Sequence, residues 1–219
     1  MTRIKIFSNI LKSNEDMALK NRQFFNHYQI PVINMMSSPG SGKTSLLEKT
    51  IHALGKKIRI AVLEGDLQTD RDAQRIGKYD VQVAQINTDG ACHLDANMVN
   101  KALSAFDFSQ VDLFFIENVG NLVCPAGFDL GENWRVNLVS IPEGDDKVIK
   151  YPVIFRKCDL LLINKMDLLP YVPFDIERLK KEALSIKPDM KLFEISCLTS
   201  EGLQEWFNWL EGIIGENSR

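Results

Sequence analysis

Short apolar runs that alternate with helix-like segments constrain the fold of this chain more than any other feature. Runs of this kind are typical of strands buried on both faces of a sheet, and they cover residues 30–36, 58–65, 81–86, 111–118, 135–141, 158–164 and 191–196. Between them, helix-like patterns occupy residues 14–29, 44–55, 72–78, 94–106, 174–186 and 201–214. The alternation predicts an α/β fold, with a mostly parallel sheet and helices on both faces.

The length of the chain fits a single domain. Its 219 residues are 45% hydrophobic and 25% charged, which suits one sizeable core. We see no internal repeat, low-complexity tract or Pro/Gly/Ser linker, so one domain is expected over residues 1–219. Its first helix, at about 14–29, has a possible N-cap at Ser13 or Asn14 and leads into the sheet.

Charge and hydropathy narrow the range of partners. The net charge of -3 gives no electrostatic reason to expect nucleic acid or an anionic membrane. No apolar run approaches the roughly 20 residues that cross a bilayer, and the N-terminus lacks the pattern of a signal peptide. We therefore expect a cytoplasmic protein, in which cysteines are better candidates for metal ligands or core thiols than for disulfides. Cys158, which opens an apolar run, is expected to be a buried thiol.

A loop of small residues joins the first apolar run to a helix-like segment. Residues 37–44 read SSPGSGKT, close to the phosphate-binding pattern G-x-x-x-x-G-K-[ST] with Ser37 at the first glycine position. Such a loop aims backbone N–H groups and a helix N-terminus at a β-phosphate. Lys43 would reach the β- and γ-phosphates and the Thr44 hydroxyl would bind Mg²⁺. A tight turn with a chance Gly-Lys-Thr is the alternative. The predicted nucleotide-binding residues of the loop are Pro39, Gly40, Ser41, Gly42, Lys43, Thr44 and Ser45.

A base-reading motif follows the run at 158–164. Asn164-Lys165-Met166-Asp167 resembles the N-K-x-D signature of GTPases. The Asp167 carboxylate can accept hydrogen bonds from guanine N1–H and the 2-amino group, two donors that adenine lacks. Asn164 and Lys165 would brace the loop and flank the base. Ser196-Cys197, after the last strand, matches the loop that touches guanine O6, which is a weaker signal.

Acidic residues end two of the predicted strands. Residues 117–120, Glu-Asn-Val-Gly, resemble the E-x-x-G motif of the SIMIBI branch of P-loop GTPases. The resemblance implies a SIMIBI-type P-loop NTPase fold, with Glu117 on Mg²⁺ and the Gly120 N–H sensing the γ-phosphate. Asp66 is a further candidate for the magnesium shell, and Asp70 could place the attacking water. The alternative for either aspartate is a helix N-cap or a solvated loop acid.

A second constellation combines Cys92-His93 with Cys124. Thiolate and imidazole suit Zn²⁺ or Ni²⁺, and Cys124 follows Glu117 by seven residues, within the segment expected to move with the γ-phosphate. Three ligands leave a position open, or a partner or second subunit completes the site. Pro125 favours an extended backbone at Cys124, which would point the thiolate outward. The alternative is two core cysteines and a surface histidine.

These blocks together resemble the HypB family of hydrogenase-maturation, nickel-incorporating GTPases. The matching stretches are SSPGSGKT, LEGDLQTDRDA, DGACHLDA, IENVGNLVCPAGFDLGE, EGDDK, KYP and INKMDLLPY. The resemblance implies a GTP-dependent homodimer whose interface binds Ni²⁺ or Zn²⁺ through Cys92, His93 and Cys124. It also implies Mg²⁺-dependent hydrolysis of GTP to GDP, with a nickel-delivering accessory protein and a hydrogenase large-subunit precursor as partners. No catalytic glutamine is obvious in the sequence, so slow intrinsic turnover is expected. The N-terminus has neither the C-x-x-C-x-C nor the His-rich tract of some members, so we expect no N-terminal nickel store.

Two other functions fit parts of the pattern. One is an accessory GTPase for urease or a cobalamin enzyme. The urease type resembles Cys-Pro-His, whereas here His93 adjoins Cys92 and is separated from Cys124-Pro125, which favours a hydrogenase client. The other is a non-hydrolysing scaffold held together by a metal, which a phosphate-release assay with GTP and Mg²⁺ would distinguish.

Overall fold

The computed structural model describes residues 6–66 and 71–217. Its strands are β1 (Val32–Ser37), β2 (Ile60–Asp66), β3 (Gln82–Asn87), β4 (Leu113–Glu117), β5 (Trp134–Ser140), β6 (Leu160–Asn164) and β7 (Lys191–Glu194). They form one sheet in the order β3-β2-β4-β1-β5-β6-β7. Every strand pair in this described part of the chain is parallel. The α/β prediction is confirmed, and the sheet is fully parallel where a mostly parallel one was expected.

Helices cover both faces of the sheet. They are α1 (Ile6–Tyr28), α2 (Lys43–Leu54), α3 (Arg71–Ile76), α4 (Ala96–Ala102), α5 (Lys147–Lys150), α6 (Pro152–Arg156), α7 (Ile176–Ile186) and α8 (Leu203–Asn217). Alternate residues of β4 show the two faces, since Phe115 packs in a core with Leu46 of α2 and Trp206 of α8. Its neighbour Phe114 packs on the opposite face with Phe25 of α1. Among the described residues, no helix combines the length and apolar character that crossing a membrane requires.

The first helix begins earlier than the sequence indicated. The start predicted near Asn14 is wrong, because α1 begins at Ile6 and Asn14 lies inside it. The Asn14 side chain is buried and makes tertiary hydrogen bonds, accepting from Ala96 N and donating to Asp129 O, each at 2.8 Å. A residue with the chemistry of a cap thus joins α1 to the start of α4 and to the loop before β5.

The segment predicted as helix over 94–106 is shorter in the structure. Helix α4 begins at Ala96, capped by the Asp95 side chain, which accepts from Met98 N. It passes into a 3-10 turn at Leu103–Ala105. Cys158 is buried as expected, and burial raises the pKa of its thiol to about 12.

The carboxyl edge of the sheet collects the polar residues of the predicted motifs. Ser37, Asp66, Glu117 and Asn164 are each the last residue of a strand. Because parallel strands all end at the same edge, these four residues lie along one edge of the sheet.

Candidate nucleotide and metal site

The loop between β1 and α2 has the backbone that phosphate binding requires. Gly40 and Gly42 have φ angles of 76° and 104°, in the left-handed region that glycine adopts without strain. A Cβ at Gly42 would also collide with the Asn164 side-chain amide. Lys43 and Thr44 open α2, a helix of 12 residues, and both are buried. The N-terminus of this helix therefore faces the cleft, as expected for a phosphate site.

Ser37 replaces the first glycine of the pattern and takes part in the loop's hydrogen bonding. Its side chain is fully buried. The hydroxyl donates to Ser38 O at 2.6 Å and accepts from Lys43 Nζ at 2.9 Å. The serine thus holds the lysine ammonium against the loop.

Two carboxylates face each other beside this loop. Glu117 on β4 lies opposite Glu64 on β2 in the strand register. The Thr44 hydroxyl donates to Glu117 Oε1 at 2.9 Å, and Lys43 Nζ lies 3.9 Å from the same oxygen. Burial, together with the charge of Glu117, raises the pKa of Glu64 to about 10. Burial raises the pKa of Glu117 as well, opposed by the positive charge of Lys43.

Unpaired oxygens on these carboxylates test whether a cation fits. Glu117 Oε2 and Glu64 Oε1 are buried and accept no hydrogen bond from a nitrogen or hydroxyl donor within the described residues, where the two carboxyl groups interact with each other. Buried carboxylate oxygens are costly unless paired. Oxygen ligands from a carboxylate and a hydroxyl suit Mg²⁺. Thr44 and Glu117 therefore fit a magnesium site, and Glu64 lies directly beside it.

Glu64 is a residue of the site that the sequence did not predict. Asp66, two residues later, was predicted for the magnesium shell because it ends the strand. It lines the same cleft. The available signal was a charged residue inside the buried apolar run of β2, where Glu64 is only 2% exposed. Asp70 lies outside the described residues.

The phosphate cleft has a volume of about 420 Å³. The cleft is lined by residues of the phosphate loop and the start of α2, the end of β2, α3, and the end of β4 with the residues after it. These residues are Pro39, Gly40, Gly42, Lys43, Thr44, Ser45, Glu64, Gly65, Asp66, Asp72, Arg75, Glu117, Asn118, Val119 and Gly120. Gly120 approaches the loop closely, since a Cβ there would lie 2.9 Å from Pro39 Cα. The structure thus brings Gly120 to the phosphate loop.

The predicted base-reading residues lie next to this cleft. Asn164 donates to Ser41 O at 2.8 Å and accepts from Lys165 N at 2.8 Å. Lys165 adopts φ of 63° and donates through Nζ to Gly40 O at 2.7 Å. Asn164 and Lys165 therefore tie the motif to the phosphate loop, as predicted for a brace.

Asp167 is oriented by the loop that follows β7. Ser196 Oγ donates to Asp167 Oδ1 at 2.5 Å. Cys197 N donates to Asn164 Oδ1 at 3.3 Å, and burial raises the pKa of the Cys197 thiol to about 11, which keeps it uncharged at neutral pH. A cavity of about 430 Å³ lies here, lined by Gly42, Ser45, Asn164, Lys165, Asp167, Leu168, Cys197 and Leu198. It adjoins the phosphate cleft, since Gly42 and Ser45 line both.

Glu143 supports the phosphate loop from the opposite side and was not singled out from the sequence. It ends the 3-10 turn Ile141–Glu143 after β5, where it forms a capping box with Ser140. The Ser41 hydroxyl donates to Glu143 Oε1 at 2.5 Å. The Ser41 side chain is thereby fixed by a neighbouring strand end.

The structure brings Cys92, His93 and Cys124 together. Their ligand atoms all lie within 4.8 Å of one another, and all three residues are partly buried. Cys92 Sγ is 3.6 Å from His93 Nδ1. Burial lowers the pKa of His93, which favours the neutral imidazole that binds metals. The geometry suits a thiolate and imidazole site for a borderline metal ion.

The backbone at Cys124 differs from the expectation. An extended conformation was predicted from Pro125 and is wrong, because Cys124 has φ of -64° and ψ of -47°. Pro125 instead opens the short turn Pro125–Gly127, a position for which the fixed φ of proline is suited. Gly127 N donates to Cys124 O at 3.1 Å. This turn places Cys124 Sγ next to the other two ligands.

The fold and the two adjoining cavities define a nucleotide-binding P-loop protein of the SIMIBI class. Residues 31–194 match the CobW/HypB/UreG nucleotide-binding domain. The chain is 49% identical over 216 residues to the hydrogenase maturation factor HypB of Azotobacter vinelandii, covering 99% of this chain and 71% of that protein. It is 43% identical over 218 residues to the hydrogenase/urease maturation factor HypB of Helicobacter hepaticus, covering 98% and 89%.

A solved structure gives the same result. The crystal structure of HypB from Helicobacter pylori in complex with nickel matches with a TM-score of 0.88 and 38% identity, covering 94% of this chain and 96% of that one. This chain belongs to the HypB family of hydrogenase maturation factors, within the CobW/HypB/UreG group.

Proposed function

We propose that this chain is a GTP-hydrolysing metallochaperone that delivers nickel during maturation of a [NiFe]-hydrogenase. The observation that carries the proposal is the cluster of Cys92, His93 and Cys124. Its third ligand lies on the segment that begins with Glu117 at the phosphate cleft. The nickel bound in the Helicobacter pylori relative supports nickel as the cargo here, and Zn²⁺ suits the same ligands.

Guanine is the base that the second cavity favours. Asp167 presents a carboxylate, which accepts from the two donors on the Watson–Crick edge of guanine. The Ser196 bond holds the carboxylate in one orientation. Adenine would offer it no matching pair of donors, so GTP and GDP are the proposed ligands.

Hydrolysis would use charge that is already in place at the phosphate loop. Lys43 Nζ and the N-terminus of α2 would bind the β- and γ-phosphates, while the Gly120 N–H would sense the γ-phosphate. Thr44 and Glu117 would hold Mg²⁺, with Asp66 close by; when bound, the ion neutralises charge on the phosphate oxygens. We propose slow turnover, with Asp70 as the candidate for placing the water.

A second copy of the chain would complete the metal site. Three ligands do not close a tetrahedral site, and the ligands are only partly buried. Val123, beside Cys124, is 62% exposed, which leaves an apolar surface next to the ligands. We propose a homodimer favoured by GTP, with a nickel-delivering accessory protein and a hydrogenase large-subunit precursor as further partners.

Urease is a second candidate client. The Helicobacter hepaticus relative carries both roles in its name. The ligands Cys92, His93 and Cys124 suit nickel for either client, while the separation of His93 from Cys124-Pro125 in the sequence favours a hydrogenase. Restoring hydrogenase or urease activity in cells that lack their own maturation factor would separate them.

The proposal is tested by two assays on the purified chain. With GTP and Mg²⁺, phosphate release should be slow but measurable. Nickel titration, followed by thiolate-to-nickel absorption, should show binding that Cys124→Ala weakens about tenfold or more, since it removes a ligand. Cys158→Ala is the matched control, because Cys158 is buried in the core. No phosphate release, or equal nickel affinity in wild type and Cys124→Ala, would contradict the proposal.

A further inference from the structure

Two asparagines of one segment bind the backbone on either side of His93. The segment is residues 117–124, here called the sensor segment, which runs from Glu117 to Cys124. Asn118 Oδ1 accepts from Leu94 N at 3.1 Å. Asn121 Nδ2 donates to Cys92 O at 3.2 Å. The sensor segment therefore supplies one metal ligand and also binds the backbone that carries the other two.

Asn118 is fixed from several directions. It is 1% exposed, and its Nδ2 donates to Asn34 Oδ1 on β1 at 3.3 Å. Its Oδ1 also accepts from Val119 N at 3.0 Å. A buried amide must keep its partners, so the Leu94 N–H is expected to follow Asn118 when the sensor segment shifts.

The other end of the sensor segment touches the nucleotide cleft. Glu117 accepts from the Thr44 hydroxyl, and Gly120 lies against Pro39 of the phosphate loop. Asn118 sits between these two contacts in the sequence. A displacement that begins at the cation would enter the sensor segment at Glu117, directly before Asn118, and one that begins at the γ-phosphate would enter it at Gly120, directly before Asn121.

Packing limits how the Cys92–Leu94 backbone can respond. Leu94 is fully buried and lies so close to β2 that a Cβ on Gly65 would be 2.8 Å from Leu94 Cδ1. The His93 ring packs on Phe128, with 4.0 Å between ring centroids. Without the asparagine bonds, Cys92 and His93 would stay with this packing while Cys124 moved.

We propose that Asn118 and Asn121 are positioning residues that make the three metal ligands respond together to the nucleotide state. They couple the backbone of Cys92–His93 to the sensor segment, so that the distances among the three ligand atoms change in a concerted way when a γ-phosphate is bound. This inference rests on the proposed function, since it assumes that the cluster binds nickel and that the cleft binds GTP.

The test is a nickel titration of the full chain in two nucleotide states. Ni²⁺ affinity is measured by thiolate-to-nickel absorption with Mg²⁺ and either GDP or a non-hydrolysable GTP analogue. The ratio of the two affinities reports the coupling. In Asn121→Ala the ratio of the two Ni²⁺ affinities should move toward one by roughly two- to tenfold, because one hydrogen bond is lost. In Asn118→Ala the ratio should move toward one by at least as much.

Controls separate coupling from folding and from ligand loss. Asn87→Ala is matched, because Asn87 is exposed and its side chain accepts from the nearby Asp89 N; its ratio should equal that of wild type. GTP-analogue affinity in the absence of nickel should change less than about twofold in Asn121→Ala, since the lost bond is local. If Asn118→Ala does not fold, Asn121→Ala decides the question alone.

Each outcome of the nickel titration either supports or contradicts the inference. A collapsed ratio in Asn121→Ala with an unchanged ratio in Asn87→Ala supports the inference. Equal weakening of nickel binding in both nucleotide states, with the ratio unchanged, would show a bracing role only and overturn it, while the proposed function stands. A wild-type chain that binds nickel equally in both states would overturn the inference alone, and one that binds no nickel would overturn the proposed function as well.

Discussion

The two ends of the nucleotide site differ in how their buried polar groups are satisfied. At the base end, the Asn164 side chain uses its nitrogen and its oxygen, and Asp167 accepts from Ser196. At the cation end, Glu117 Oε2 and Glu64 Oε1 are buried and accept no hydrogen bond from a nitrogen or hydroxyl donor in the described part of the chain. At the base end these side chains are held by hydrogen bonds within the protein, whereas at the cation end two buried carboxyl groups share one nearby positive charge, that of Lys43.

This difference assigns separate roles to the two ends. A satisfied network holds its geometry before the ligand arrives, which favours specificity for the base. Unpaired buried oxygens raise the free energy of the cation end until a ligand pairs them, so this end gains most from binding. The sensor segment starts at Glu117, at the cation end. Control of the metal cluster is therefore expected to depend on the phosphates and the cation, with the base setting only which nucleotide binds.

The largest effect is expected from Asp167→Asn at the base end. The amide would present a donor to the guanine 2-amino group, so GTP affinity should fall by about 10³-fold or more. Xanthosine triphosphate has an oxygen at that position and should bind better than GTP. Competition binding measures both values. Ser196→Ala, which only loosens the carboxylate, should cost about tenfold; equal GTP affinity in Asp167→Asn and wild type would refute a preformed base reader.

Glu117→Gln should act on the chemical step at the cation end. Losing the carboxylate charge beside Thr44 should lower the rate of phosphate release by roughly 10²-fold or more. Guanine selectivity, measured as the GDP to ADP affinity ratio, should stay as in wild type, because Asp167 is untouched. A variant that hydrolyses GTP at the wild-type rate would exclude Glu117 from the magnesium site.

The stability of the nucleotide-free protein should depend on pH through Glu64. Its pKa rises from 4.5 to about 10 on folding, so between these values the folded state holds a proton that the unfolded state has lost. The free energy of unfolding should therefore fall as pH rises from 6 to 9. Thermal melts should show a decrease of the order of a few °C per pH unit.

Glu64→Gln is the matched variant for this pH effect, because it keeps the shape and removes the titration. Its melting temperature should vary less with pH over the same interval. A wild-type protein whose stability does not fall between pH 6 and pH 9 would show that the two carboxylates are already compensated.

The smallest effect is expected at Ser37, which lies outside both ends. Ser37→Gly removes the hydroxyl that accepts from Lys43 Nζ and restores the usual glycine of the pattern. One lost hydrogen bond is worth about 0.5–1.5 kcal/mol, and the lysine becomes freer to reach phosphate. Nucleotide affinity should change by less than about tenfold in either direction. A loss of all nucleotide binding would mean that the serine is itself a ligand.

The sequence predicts those parts of the site that depend on consecutive residues. The phosphate loop and the residues after β6 follow strand–loop and strand–turn patterns whose geometry is local, and the structure brings both together. The group of Cys92, His93 and Cys124 was also predicted, because thiolate and imidazole suit Zn²⁺ or Ni²⁺ and Cys124 lies in the segment that follows Glu117.

What the sequence does not predict depends on strand order and tertiary contact. Glu64 faces Glu117 only because β2 pairs with β4, and this pairing is not visible along the chain. Asn14 has the chemistry of a helix cap but forms tertiary hydrogen bonds inside α1. At Cys124, the local preference before a proline is overridden by a turn. In each case the observed conformation or contact is set by a residue distant in sequence, or by a turn that starts after the residue. The preference of the neighbouring sequence does not predict it.

The central claim is that the phosphate end of the nucleotide site controls the metal cluster. Coupling of this kind is reciprocal in free energy, so it can be measured from the nucleotide side. The affinity of the Mg²⁺-bound GTP analogue should be determined with and without Ni²⁺, alongside that of GDP. Nickel should change the ratio of the two nucleotide affinities, by the same factor by which the nucleotide changes nickel affinity. Nucleotide affinities that are identical with and without nickel would contradict the account.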